Sequence, residues 1–116
     1  MTQEDKEFLL KDLCARLPYG VKCKSKYFIN DTLSGIIIDG EETMFNFSVN
    51  DKGFITQLYS SEFKPYLFPL SSITEEQYRE WLDTSDTVDW LNKNHFDHHN
   101  LIPKGLAIDA TGLNIH

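Results

Sequence analysis

The sequence predicts an α+β fold with an N-terminal helix, a four- to five-stranded antiparallel meander and two C-terminal helices, all in one domain over residues 1–116. Three observations carry this expectation. An apolar stripe that opens on acids stops at Pro18, Asp39 and Gly40 stand between two β-patterned runs, and Thr74 precedes Gln77 at capping-box spacing.

Each element follows in order. Thr2 can cap a helix whose first turn carries Glu4 and Asp5, acids that suit the positive end of a helix dipole. Leu9, Leu10, Leu13, Cys14 and Leu17 then recur at three- and four-residue spacing, which predicts one buried stripe. In the next run, Val21, Cys23, Tyr27 and Ile29 alternate with Lys22, Lys24 and Lys26, the pattern of a half-buried strand. Asp39 and Gly40 suit a two-residue hairpin turn, a register that sets Ile38 opposite Glu41, Ile36 opposite Thr43 and Ser34 opposite Phe45. Residues 50–53 read as a second turn and 54–59 as a fourth strand.

Pro65 and Pro69 argue against a central strand, so residues 64–70 are expected as an extended crossover. Thr74 and Gln77 start the second helix, with Ile73 and Tyr78 as its hydrophobic staple. Ser85 or Asp86 recaps a third helix that carries Val88, Trp90 and Leu91 and runs to about His95. The segment Leu106, Ala107, Ile108 is expected to add an edge strand or to pack across that helix.

The 116 residues include 11 basic and 18 acidic side chains, a formal charge of -7. Residues 1–70 hold eight basic and ten acidic side chains, and residues 71–116 hold three and eight, so the C-terminal part is the acidic one. That balance disfavours sequence-blind binding of nucleic acid, for which a basic face supplies most of the affinity. Apolar runs are no longer than triplets such as Ile36, Ile37, Ile38, against the roughly 20 residues of a spanning helix, so no membrane association is expected. The polar, acidic start lacks the basic-then-apolar order of a secretory signal. A reducing cytoplasm is therefore the expected compartment, with Cys14 and Cys23 as thiols.

The densest polar constellation is His95, Asp97, His98 and His99. Histidines at i, i+3 and i+4 share a helical face and are good ligands for zinc, nickel or copper, yet the spacing matches no HExxH-type motif. The expectation is an exposed His98 and His99, a His95 that caps or packs at the helix end, and neither metal nor cofactor. No Gly-x-Ser-x-Gly elbow, Rossmann fingerprint or P-loop occurs, which removes those routes to catalysis and nucleotide binding. Lys22, Lys24 and Lys26 could track a single nucleic-acid strand, but lysines on the open face of an edge strand commonly serve to prevent aggregation. Fifteen aromatics, many of them in the C-terminal half, exceed what a small core readily hides. Tyr66, Phe68, Trp81 and Trp90 are accordingly the candidate partner-binding residues.

The segments Leu13 to Lys22, Lys64 to Leu67, Trp90 to Asp97 and Leu101 to Ala107, together with the start Met1 to Lys6, resemble a family of short uncharacterised proteins common in gut Bacteroidetes genomes and their phages or prophages. Where that family often carries Tyr-Arg, this chain has His98 and His99. The resemblance implies a cytoplasmic accessory protein with a mobile-element association and no particular reaction. The expected function is a protein-interaction module. The alternatives are a small enzyme whose site assembles only in three dimensions and a single-stranded nucleic-acid-binding module.

Overall fold

A computed structural model describes residues 2–24, 31–39, 42–47, 50–54 and 64–116. The helix α1 (Gln3–Arg16) begins as its sequence dictates: the Thr2 hydroxyl accepts from the Asp5 amide and the Asp5 carboxylate accepts from the Thr2 amide. It tightens into a 3-10 turn over Leu17–Tyr19, where Pro18 removes an amide donor, and Gly20 ends it at φ 68°. The strands are β1 (Lys22–Lys24), β2 (Asp31–Asp39), β3 (Glu42–Phe47), β4 (Asn50–Phe54), β5 (Lys64–Pro69), β6 (Phe96–Asp97) and β7 (Ile108–Asp109). Helices α2 (Glu75–Asp83) and α3 (Thr87–Lys93) lie between β5 and β6.

The fold is α+β, but its sheet is mixed and not a pure antiparallel meander. Strand order is β4-β3-β2-β1-β5-β6, with β7 also on β5; the pairs from β4 through β5 are antiparallel, whereas β6 and β7 run parallel to β5. Length explains why β6 escaped notice, because two residues are too few to show a period-two pattern, whereas β7 begins at Ile108, the end of the segment expected to add an edge strand or to pack across the third helix.

Other expectations are corrected locally. The β2–β3 hairpin exists, but Asp39, expected in its turn, belongs to β2 and pairs with Glu42, while residues 40 and 41 lie outside the described residues. Ile36 therefore faces Phe45, not Thr43. From Gly35 to Asp39 each partner moves by two positions, which keeps the same faces paired, whereas an irregularity between Leu33 and Gly35 offsets the pairing by one and sets Leu33 opposite Phe47. Asn50 and Gly53, expected in a turn, belong to β4, which among the described residues pairs with β3 alone, and such an edge position tolerates turn-forming residues that a central strand does not. Residues 55–59 of the expected fourth strand lie outside the described residues, as do Lys26, Tyr27 and Ile29.

The expected crossover at 64–70 is the strand β5, inside the sheet. Pro65 and Pro69, its second and last residues, still align with Cys23 and Asp97 but donate no amide, and the amides between them remain: that of Phe68 donates to the His95 carbonyl at 2.8 Å. The strand β1 is likewise internal, between β2 and β5, so its lysines do not guard an edge.

The main core joins Leu9 and Leu13 of α1 to Val21, Cys23, Leu33, Phe45 and Leu67 of the sheet, closed by Leu101, Leu106 and Ala107. Each fully buried leucine contributes about 1.5–3 kcal/mol relative to exposure. The buried face of α1 also includes Asp12 and Arg16, while Cys14 is exposed. A second cluster places Trp90, Leu91 and Phe96 against Phe68, Ile73 and Trp81. No described helix is long and apolar enough to cross a membrane.

Candidate functional site

The most ionisable part of the interior lies where α1, α3 and the segment after β6 meet. Asp12 and Arg16 are one turn apart on α1, and both side chains have 0% exposure. Arg16 Nε donates to Asp12 Oδ2 at 2.8 Å, and its Nη2 donates to Asp12 Oδ1 at 3.1 Å and to the Phe96 carbonyl. The ion pair thereby ties α1 to β6.

The segment after β6 is shaped by Asp97, a buried carboxylate that accepts from the amides of Leu101 at 2.8 Å and Ile102 at 2.9 Å. Asn100 at φ 57° completes the turn, a left-handed conformation that asparagine tolerates better than most residues. The half-buried His98 and His99 ride on this turn with ring centroids 4.1 Å apart. His99 Nδ1 meets Asp12 Oδ1 at 2.8 Å, and His98 Nε2 meets Oδ1 of the buried Asn92, from α3, at 2.7 Å. Burial, the neighbouring His99 and the Arg16 guanidinium together hold His98 below the ordinary histidine range, against the opposing pull of Asp12 and Asp97.

His95 does not share this site. The helix α3 ends at Lys93 with Asn94 as its cap, so the expected helical face for three histidines does not form. His95 sits just past the cap at φ 63°, and its ring stacks on His116 with centroids 3.8 Å apart. Its burial, together with the charges of His116 and Arg16, lowers it to about 4. His116 is open to solvent as a residue, but its ring is covered by His95 and Phe68, and that burial lowers it too. Both rings line a cavity of ≈ 590 Å³ with Phe68, Thr74 and Lys93.

The expectation that His98 and His99 are exposed is thus corrected: both are half-buried and hydrogen-bonded. Sequence reasoning missed Asp12, Arg16 and Asn92 altogether. The available signal was the i, i+4 acid–base pair interleaved with Leu9 and Leu13, which places the pair on the buried stripe. Among the described residues, no serine, threonine or cysteine side chain is hydrogen-bonded to either His98 or His99.

Of the four aromatics singled out for partner binding, Tyr66 and Trp90 are buried, and Phe68 and Trp81 are half-buried. Trp90 stacks on Phe96 at 5.6 Å and 10°, and its indole N–H donates to Glu80 at 3.0 Å. The exposed apolar side chains of this region are instead Tyr78, Leu82 and Val88. Of the lysine stripe, Lys22 is half-buried and Lys24 is exposed opposite Lys64 of β5. Compared with known proteins, the chain matches no family model, no curated protein and no solved structure.

Proposed function

We propose that the chain is a protein-interaction module whose docking face is the outer surface of α2 and the first turn of α3. Its partner presents a basic segment with apolar anchors. The observation that supports this reading is the exposure of Tyr78 (46%), Leu82 (60%) and Val88 (54%) on two short helices whose other exposed residues are mostly acidic.

Tyr78 and Leu82 are one turn apart and so adjoin on the surface of α2. Trp81 lies between that surface and the second core cluster: its ring is 5.8 Å from Tyr78, and its indole N–H donates to the Thr87 carbonyl at 3.2 Å, beside Val88. Residues 75–89 carry six acids, Glu75, Glu76, Glu80, Asp83, Asp86 and Asp89, against Arg79 alone. Arg79 is itself paired with Glu75 at 2.7 Å in full solvent, a contact worth little. An apolar patch inside a negative field selects a partner that carries lysine or arginine around a hydrophobic anchor, and the field speeds and orients the encounter.

The probe is a synthetic amphipathic peptide of leucine and lysine, with a sequence-scrambled peptide as its control, titrated into the labelled chain. Amide resonances of 78–88 should move with the amphipathic peptide alone, the affinity should fall with added salt, and Tyr78→Ala/Leu82→Lys should abolish the response. Shifts centred elsewhere, or an affinity that is indifferent to salt, would overturn the reading. Single-stranded oligonucleotide in a parallel titration separates it from a nucleic-acid role for Lys22, Lys24 and Lys64.

A further inference from the structure

We infer that His98 and His99 form a two-imidazole chelate for a first-row transition-metal dication of the zinc or copper type, with Asp12 and Asn92 as the outer acceptors that fix each ring. This site lies apart from the docking face and does not depend on it.

The hydrogen bonds decide which nitrogens are available. A carboxylate and an amide oxygen can only accept, so His99 carries its proton on Nδ1 toward Asp12 and His98 carries its proton on Nε2 toward Asn92. The lone pairs are left on His99 Nε2 and His98 Nδ1. An imidazole whose other nitrogen donates to a carboxylate or carbonyl is the usual form of a metal-binding histidine, because the outer acceptor fixes the tautomer and raises ligand basicity.

Geometry brings the two rings together. Neighbouring residues of an extended chain point to opposite sides. Here the turn held by Asp97 and Asn100 places the two rings with centroids 4.1 Å apart, and one ligand atom each from Asp12, His98 and His99 lies within 4.8 Å of the other two. Both oxygens of Asp12 are engaged by Arg16 and His99, which assigns it to the outer shell.

The surroundings choose the metal. Magnesium and calcium need several oxygen ligands, whereas of the two neighbouring carboxylates Asp12 is neutralised by a buried guanidinium and Asp97 is occupied by the Leu101 and Ile102 amides. Nitrogen donors favour copper and zinc, and the partial exposure of the His99 side chain leaves outer coordination positions to solvent. Two protein ligands beside a cation give a micromolar, exchangeable site and not a structural one.

Zinc chloride titrated into the intact chain by calorimetry should show one site of micromolar affinity, while magnesium at the same concentration gives no heat of binding. His98→Ala and His99→Ala should each weaken zinc at least tenfold. His116→Ala and Cys14→Ser, which alter other exposed donors, should leave it within twofold. In long-range nitrogen–proton spectra of the unaltered chain, zinc should shift His98 Nδ1 and His99 Nε2 and spare the His95 and His116 rings. That measurement decides the matter even if a histidine variant fails to fold. No zinc binding, binding that survives either histidine substitution, binding lost with His116 or Cys14, or shifts confined to other rings would each overturn the inference.

Discussion

Replacing Arg16 with methionine removes the cation beneath the histidine turn while keeping most of its apolar stem. The substitution deletes the donors at 2.8 and 3.1 Å from Asp12 and the contact to the Phe96 carbonyl. The Asp12 carboxylate, at 0% exposure, is left with His99. Breaking one side of a buried ion pair costs about 3–5 kcal/mol, because the surviving charge loses its guanidinium and cannot rehydrate. The abandoned Phe96 carbonyl adds about 1 kcal/mol. Against a total stability of about 5–15 kcal/mol for a domain of this size, that loss is large. At about 3–6 °C per kcal/mol, a loss of about 4–6 kcal/mol lowers the melting temperature by roughly 12–36 °C. Urea denaturation of the wild type, Arg16→Met, Asp12→Leu and the double variant completes a thermodynamic cycle. The double variant, with both charges gone and the volume filled, should recover at least half of the loss caused by Arg16→Met. A single-variant cost below about 1 kcal/mol, or additive losses in the cycle, would refute the claim that this pair is a coupled, desolvated unit.

Three further outcomes are expected. His95 is near 4 when folded and near its ordinary 6.5 when unfolded, so the unfolded chain binds more protons between those values. Stability should therefore fall as pH drops from 6.5 to 4 and level off below, with a slope from this ring of at most about 1.4 kcal/mol per pH unit, reduced by its partial exposure. His95→Asn, compatible with φ 63°, should flatten but not erase the dependence, since His98 and His116 are lowered as well; an unchanged profile contradicts this. Cys14 is exposed and Cys23 fully buried, so an aromatic disulfide reagent should titrate one thiol in the native chain and the second only in denaturant; two fast thiols would contradict the core described. Gly20→Ala forces a Cβ into a left-handed residue and to 3.1 Å from Thr32 Cγ2, and chemical denaturation should show a loss of about 1–2 kcal/mol.

What the sequence revealed and what it hid divide along the range of the interactions. The cap at Thr2, the capping box at Thr74, the stop at Pro18 and the β2–β3 hairpin are set by residues within a few positions of one another, and all four appear in the fold. The parallel pairing of β6 and β7 with β5 joins segments 28 to 42 residues apart, and nothing local in two-residue strands announces it. The prolines of β5 misled for a related reason: they forbid donors at two positions, and only the topology shows that the strand's usable amides lie between them. The histidines were visible as a cluster, but a helical ruler grouped His95 with His98 and His99. The helix stops two residues earlier, so the backbone splits them into a pair held by Asp12 and Asn92 and a ring stacked on His116. Asp12 and Arg16 were hidden because a period-based reading counts apolar residues only, and a neutralised acid–base pair can take stripe positions that leucines would otherwise fill. That substitution costs desolvation and yields what an all-leucine stripe cannot: a fixed carboxylate beneath the protein surface that orients His99. The polar positions on the buried stripe of α1 thus exchange desolvation for a carboxylate fixed against His99.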